Sequence, residues 1–95
     1  MRKDDFFIQC ATAEKMQGLL NTLKNNGYVM ASDFKKEIPT AQELLKEFKK
    51  YNHGNAKMLL HLFRNSITGR KEISTGSATI YRSYPQYKNI KIIKI

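Results

Sequence analysis

The sequence predicts one α+β domain over residues 1–95, with one mainly antiparallel sheet of four to five strands and two helices packed on one face of it. Three observations predict this class. Two segments repeat apolar residues at helical spacing behind residues that cap helices. Several short segments have the length and the apolar pattern of strands, and a glycine-containing loop joins two of them.

Residues 6–11 predict the first strand. Phe6, Ile8 and Cys10 would share one face of it, and Phe7 would lie on the other. A short segment that is apolar on both faces is typical of a central strand, so we expect a neighbouring strand on each side.

The first helix is predicted over residues 13–26. Thr12 precedes it as N-cap, because its hydroxyl can accept from the unpaired N–H groups of the first turn. The apolar face consists of Met16, Leu19, Leu20 and Leu23. Gly27 ends the helix, and residues 28–31 predict a short second strand.

The second helix begins at a capping box, in which Thr40 is the cap and Glu43 stands three residues later. Its apolar stripe consists of Ala41, Leu44, Leu45 and Phe48. The sequence His53-Gly54-Asn55 is predicted to end this helix.

Residues 56–64 fit either a strand or a helix, since periodicity does not separate the two over so short an apolar segment. We favour a strand, because a hairpin loop with Gly69 follows over 65–70 and a strand is favoured over 71–75. Residues 78–84 fit a continued strand or a short helical turn before Pro85. Isoleucines on both faces of residues 90–95 predict a final strand and favour an internal position for it.

Residue types that carry catalysis or bind metals are sparse. The single cysteine, Cys10, lies in a predicted strand, and His53 and His61 match no zinc-ligand spacing. No carboxylate pair or glycine-rich phosphate loop is present. We therefore expect no enzymatic activity, no cofactor and no metal. One cysteine, and no apolar segment of signal-peptide or membrane-spanning length, predict a cytoplasmic protein without membrane contact.

The net charge of +9 is distributed unevenly along the chain. Residues 1–47 hold seven bases and seven acids and are neutral overall, whereas residues 48–95 hold ten bases and one acid, Glu72. This asymmetry predicts a surface potential of one sign on the part of the molecule that the second half forms.

The second half is therefore expected to bind nucleic acid, with its cations gathered on one surface. Lysine and arginine neutralise phosphates and release counterions, and tyrosines add stacking on exposed bases. The predicted phosphate contacts are Lys49, Lys50, Arg64, Arg70, Lys71, Arg82 and Lys88. The predicted stacking residues are Tyr81, Tyr84 and Tyr87. No helix-turn-helix, zinc-finger or RNA-recognition signature is present, so we expect phosphate-dominated contact.

Two stretches resemble small, mostly uncharacterised accessory proteins that phages and prophages of low-GC bacteria encode. They are IQCATAEKMQGLLNTLKNNGY, with its capped helix and Gly-Tyr ending, and KEISTGSATIYRSYPQYKNIKIIKI, with its Gly-Ser break, aromatic pair and isoleucine-rich tail. Together they cover about half of the chain. Val29-Met30 follow the Gly-Tyr where such proteins commonly have an aromatic residue, and residues 40–54 resemble an insertion. The resemblance implies accessory phage biology.

A protein partner is the alternative to nucleic acid. The basic surface would then dock on an acidic protein, or fill the nucleic-acid channel of a host or defence nucleoprotein, as an anti-CRISPR-like inhibitor does. An exposed sheet edge would also support formation of a homo-oligomer by strand addition.

Overall fold

The structure is a computed structural model that describes residues 5–31, 37–51 and 57–95. Its elements in chain order are β1 (Phe6–Gln9), α1 (Ala13–Asn25), β2 (Val29–Met30), α2 (Ala41–Tyr51), β3 (Met58–Arg64), β4 (Lys71–Ser77), α3 (Ala78–Arg82), a 3₁₀ turn (Pro85–Tyr87) and β5 (Ile92–Lys94). The predicted end of the second helix at residues 53–55 lies outside the described residues.

The strands form one sheet in the order β2-β4-β3-β1-β5. β3 pairs antiparallel with β1 and β4, whereas β1 with β5 and β2 with β4 pair in parallel. The α+β class with one sheet is confirmed, but the sheet is mixed rather than mainly antiparallel. The reason is connectivity: α1 links β1 to β2 as a crossover, and a crossover returns the chain to start the next strand in the same direction.

One face of the sheet, here called the helix face, packs against α1 and α2, as predicted. Met16, Leu20 and Leu23 of α1 and Leu44 and Phe48 of α2 form a single core with the sheet. The predicted caps are present, because the Lys15 N–H donates to Thr12 Oγ1 at 3.1 Å and the Glu43 N–H donates to Thr40 Oγ1 at 3.2 Å. The Ala41 N–H donates to Gln17 Oε1 at 2.8 Å and so joins the start of α2 to α1.

The opposite face, here called the tyrosine face, is covered by α3 and the 3₁₀ turn. Phe7, Leu59, Tyr81 and Ile90 form a second core there. Of the two alternatives for residues 78–84, the structure has a short helix, over residues 78–82. β4 extends beyond the predicted residues 71–75 to Ser77, whose hydroxyl accepts from Ile80 N–H at 3.2 Å. A Cβ on Gly76 would lie 3.0 Å from Tyr81 Cε2, so glycine allows this ring to lie directly on β4.

The strand favoured over residues 56–64 is confirmed as Met58–Arg64, while residue 56 lies outside the described residues. Met58, Leu60 and Leu62 face the helices, whereas Leu59 packs on the tyrosine face. The internal position favoured for the last strand is wrong, because among the described strands β5 pairs only with β1, at one edge of the sheet, and Ile93 is exposed. No helix within the described ranges is long and apolar enough to cross a membrane.

Candidate nucleic-acid interface

The β3–β4 loop and the strand residues on either side of it, residues 64–71, form one end of the sheet, here called the hairpin end. Three of the predicted phosphate contacts lie there: Arg64, Arg70 and Lys71. Asn65 Oδ1 accepts from the N–H groups of Ile67 and Thr68 at 2.8 and 3.2 Å, and Gly69 N–H donates to Asn65 O at 2.7 Å. Gly69 has φ of +74°, which a side chain would oppose. Arg64 Nη1 donates to Gly69 O at 2.8 Å, so this closed loop also positions a cation.

Arg70 has a structural role in addition to its charge. Glu72, the one acid of the second half, is only 2% exposed. Arg70 Nη2 donates to Glu72 Oε2 at 3.1 Å, and Asn65 Nδ2 donates to Glu72 Oε1 at 3.1 Å. Both carboxylate oxygens therefore have donors, which a buried carboxylate requires.

We expect Arg70→Glu to lower the free energy of unfolding by about 2–3 kcal/mol, because it places a second carboxylate beside a buried one and removes a donor. Urea denaturation measures this. The double variant Arg70→Glu/Glu72→Gln removes the repulsion and should recover part of the loss. The exposed Arg82→Glu should change stability by less than about 0.5 kcal/mol. Equal stability of Arg70→Glu and Arg82→Glu would show that the Glu72 contact is dispensable.

Aromatic side chains line a groove beside these cations. The groove has a volume of about 140 Å³ and is lined by Phe6, Tyr28, Phe63, Arg64 and Lys71. Lys71 Nζ lies 5.7 Å from the centroid of the Tyr28 ring and 3.5 Å from Asn26 O. Phe6 and Tyr28 are not among the interface residues that the sequence predicts. The signal for them is the β1-α1-β2 crossover, in which both strands start at the hairpin end.

The three predicted stacking tyrosines differ in accessibility. Tyr81 is only 7% exposed, and its hydroxyl lies 2.9 Å from Ser74 Oγ. Burial raises the pKa of Tyr81, and the hydrogen bond with Ser74 opposes this shift. The prediction that Tyr81 stacks on bases is wrong, because its ring fills the second core. Tyr87 is half-buried, with its ring centroid 5.3 Å from that of Phe7, whereas Tyr84 is 50% exposed.

The cations of the second half lie at the surface but not on one side. All ten are within the described ranges; nine are exposed and Lys71 is half-buried. Lys49 and Lys50 are on α2 above the helix face, whereas Arg82 and Lys88 are on the cover of the tyrosine face. The expectation of one common surface is therefore wrong for Lys49 and Lys50, since the sheet separates them from Arg82 and Lys88.

A chain of polar side chains crosses the tyrosine face from Asp5 to Tyr81. His61 Nε2 lies 3.8 Å from Asp5 Oδ1, and His61 Nδ1 lies 3.4 Å from Ser74 Oγ. The order of acid, histidine and serine is that of a hydrolase triad. However, these separations exceed good hydrogen-bond lengths, and the Ser74 hydroxyl is 2.9 Å from that of Tyr81. The shortest contact of the Ser74 hydroxyl is therefore with Tyr81 and not with His61.

Burial lowers the pKa of His61, and the nearby Asp5 carboxylate only partly opposes this shift. The His61 ring is stacked on those of Phe7 and Phe63, with ring centroids 4.3 and 4.8 Å apart. His61 is therefore neutral in the folded protein at neutral pH.

We expect the free energy of unfolding to fall as the pH drops below about 6.5, the ordinary pKa of histidine. With the folded pKa lowered, the unfolded chain takes up the proton first in this window, so acid favours unfolding. The titratable and polar groups around the His61 ring are unchanged in this test; they are Asp5, Ser74, Tyr81 and Tyr87. In His61→Gln the free energy of unfolding should depend less on pH between about pH 5 and 7, as measured by urea denaturation. If the free energy of unfolding of His61→Gln depends on pH as that of the wild type does, other titrating groups cause the dependence.

Among the described residues, the remaining reactive residue types are not assembled into a site. Burial raises the pKa of the half-buried Cys10 thiol, and Lys15 only partly opposes this, so the thiol is not activated. Within residues 5–31, 37–51 and 57–95, no group of three or more His, Cys, Asp or Glu could hold a metal ion. Comparisons with family models, curated proteins and solved structures found no match. The resemblance to phage-encoded proteins therefore stays a prediction.

Proposed function

We propose that this chain is a small basic accessory protein of a phage or another mobile element, which binds nucleic acid in the cytoplasm without catalysing a reaction. The observation that carries the proposal is the exposed charge of the second half. Nine of its ten cations are at the surface, and its one acid is buried against Arg70. A surface with that balance attracts phosphates and repels other cations.

The proposed contact surface runs from the hairpin end onto the tyrosine face. Arg64 and Lys71 border the aromatic groove at the hairpin end. Exposed side chains also lie on residues 78–88, the segment of α3 and the 3₁₀ turn that covers the tyrosine face; they are Arg82, Tyr84 and Lys88. Cations beside exposed aromatic rings suit single strands, whose phosphates and bases are both accessible. Lys49 and Lys50 fall outside this surface and provide a matched comparison.

A titration at several salt concentrations tests the proposal. Fluorescently labelled duplex DNA, single-stranded DNA and single-stranded RNA are titrated with protein between about 50 and 200 mM salt. We expect log K to fall with log salt, with a slope of about −0.9 per phosphate contact for the duplex and about −0.7 for single strands.

The result also separates the proposal from its alternative. Absence of binding to all three nucleic acids at the lowest salt would contradict it. That outcome would favour the protein-binding inhibitor, whose basic surface docks on an acidic protein or a nucleoprotein.

A further inference from the structure

A second, larger cavity opens on the tyrosine face beside the hairpin end. Its volume is about 640 Å³, within the range of small-ligand sites. It is lined by Asp5, Phe63, Asn65, Ser66, Ile67, Gln86 and Tyr87. The cavity thus combines two aromatic rings with a few polar groups, which is the composition of a site that recognises a planar polar molecule.

One carboxylate oxygen of Asp5, in the cavity wall, has no hydrogen-bond partner among the described residues. The residue is only 6% exposed, and the oxygen without a partner is Oδ1. The nearest basic nitrogen of the described residues is His61 Nε2 at 3.8 Å, and burial keeps that ring neutral. A buried carboxylate oxygen without a donor is costly, so a donor brought by a ligand would be stabilised there.

In the sequence, each of the two aromatic residues that line the cavity is followed directly by a basic residue. Arg64 follows Phe63 at the end of β3, and Lys88 follows Tyr87 after the 3₁₀ turn. Both cations are exposed. Arg64 borders the adjacent aromatic groove rather than this cavity, so it and Lys88 would be available to phosphates that lie outside the cavity when a base occupies it.

We propose that this cavity, here called the base cavity, binds one unstacked base of a single-stranded nucleic acid, and that the base carries an exocyclic amino group. The amino group donates to Asp5, and the ring packs against Phe63 and Tyr87. Cytosine fits, because its N4 amino group is a donor, whereas uracil has the O4 acceptor at the same position. This inference rests on the proposed nucleic-acid binding.

Fluorescence anisotropy with labelled RNA oligonucleotides of about ten cytidines or ten uridines tests it, since both have the same phosphates. At about 50 mM salt we expect wild-type protein to bind the cytidine oligonucleotide about tenfold more tightly. Asp5→Asn should bring this ratio close to one without changing the salt slope. Glu14→Gln, the same chemical change on the exposed first turn of α1, should keep the tenfold ratio.

The outcomes separate the cavity from the general function. Equal wild-type affinities for the two oligonucleotides, with the expected salt slope, would overturn the base cavity and leave the proposed function standing. A cytidine preference that survives in Asp5→Asn, with an unchanged thermal midpoint, would overturn the assignment to Asp5. Absence of binding to either oligonucleotide would overturn both proposals.

Discussion

Phe7→Ala is expected to lower the free energy of unfolding by about 3–5 kcal/mol, a large part of the total for a small domain. Phe7 is 0% exposed at the centre of the second core. Its ring is stacked on His61 and meets Tyr81 edge-on at 5.0 Å and Tyr87 at 5.3 Å. Truncation leaves a cavity and removes these aromatic contacts, which add to the loss from area alone.

Phe6→Ala is the matched control, because Phe6 is the adjacent residue of β1 and 45% exposed. It should cost about 1 kcal/mol, since nearly half of its surface is already exposed to water in the folded state. Urea denaturation measures both variants. If Phe7→Ala does not fold, Phe7→Leu, which leaves a smaller cavity, replaces it and should still cost more than Phe6→Ala. Equal costs for positions 6 and 7 would show that the second core contributes little stability.

The elements of the fold that were predictable are those specified locally. The hydroxyls of Thr12 and Thr40 cap helices that begin one residue later, and the apolar stripes behind them face one core. Each of these features depends on residues within two turns of one another. Sequence periodicity alone is sufficient for them.

The strand order was not predictable in the same way. An edge strand and an internal strand with apolar residues on both faces have the same sequence pattern, so β5 and its Ile93 resembled an internal strand. Parallel pairing of β1 with β5 joins residues 85 positions apart, as Phe7 with Ile92. No local signal in the sequence encodes that register.

The candidate site was predictable in charge but not in accessibility. Lysines and arginines stay at the surface whatever the fold, because burying an unpaired charge is costly. Tyrosine has no such constraint, and α3 turns Tyr81 inward while Arg82 stays exposed. Gly76 was the available signal, since a residue without a side chain leaves room for a neighbouring ring. Asp5 and His61 meet only through the pairing of β1 with β3.

The double variant Arg82→Glu/Lys88→Glu is expected to weaken nucleic-acid binding by about a hundredfold or more at 50 mM salt. Each phosphate contact contributes a factor of roughly fifteen at that salt concentration if the electrostatic contribution vanishes near 1 M. Reversal removes two such contacts and adds repulsion. The slope of log K against log salt for duplex DNA should also become shallower by about two.

Lys49→Glu/Lys50→Glu is the control, because it lowers the net charge by the same amount on the opposite side of the sheet. Long-range attraction depends on net charge and should fall equally in both variants, whereas direct contacts are lost only where the nucleic acid lies. We therefore expect the control to weaken binding several-fold, with a salt slope close to that of the wild type. Equal losses of affinity and slope would mean that the chain binds through diffuse charge, without a preferred surface.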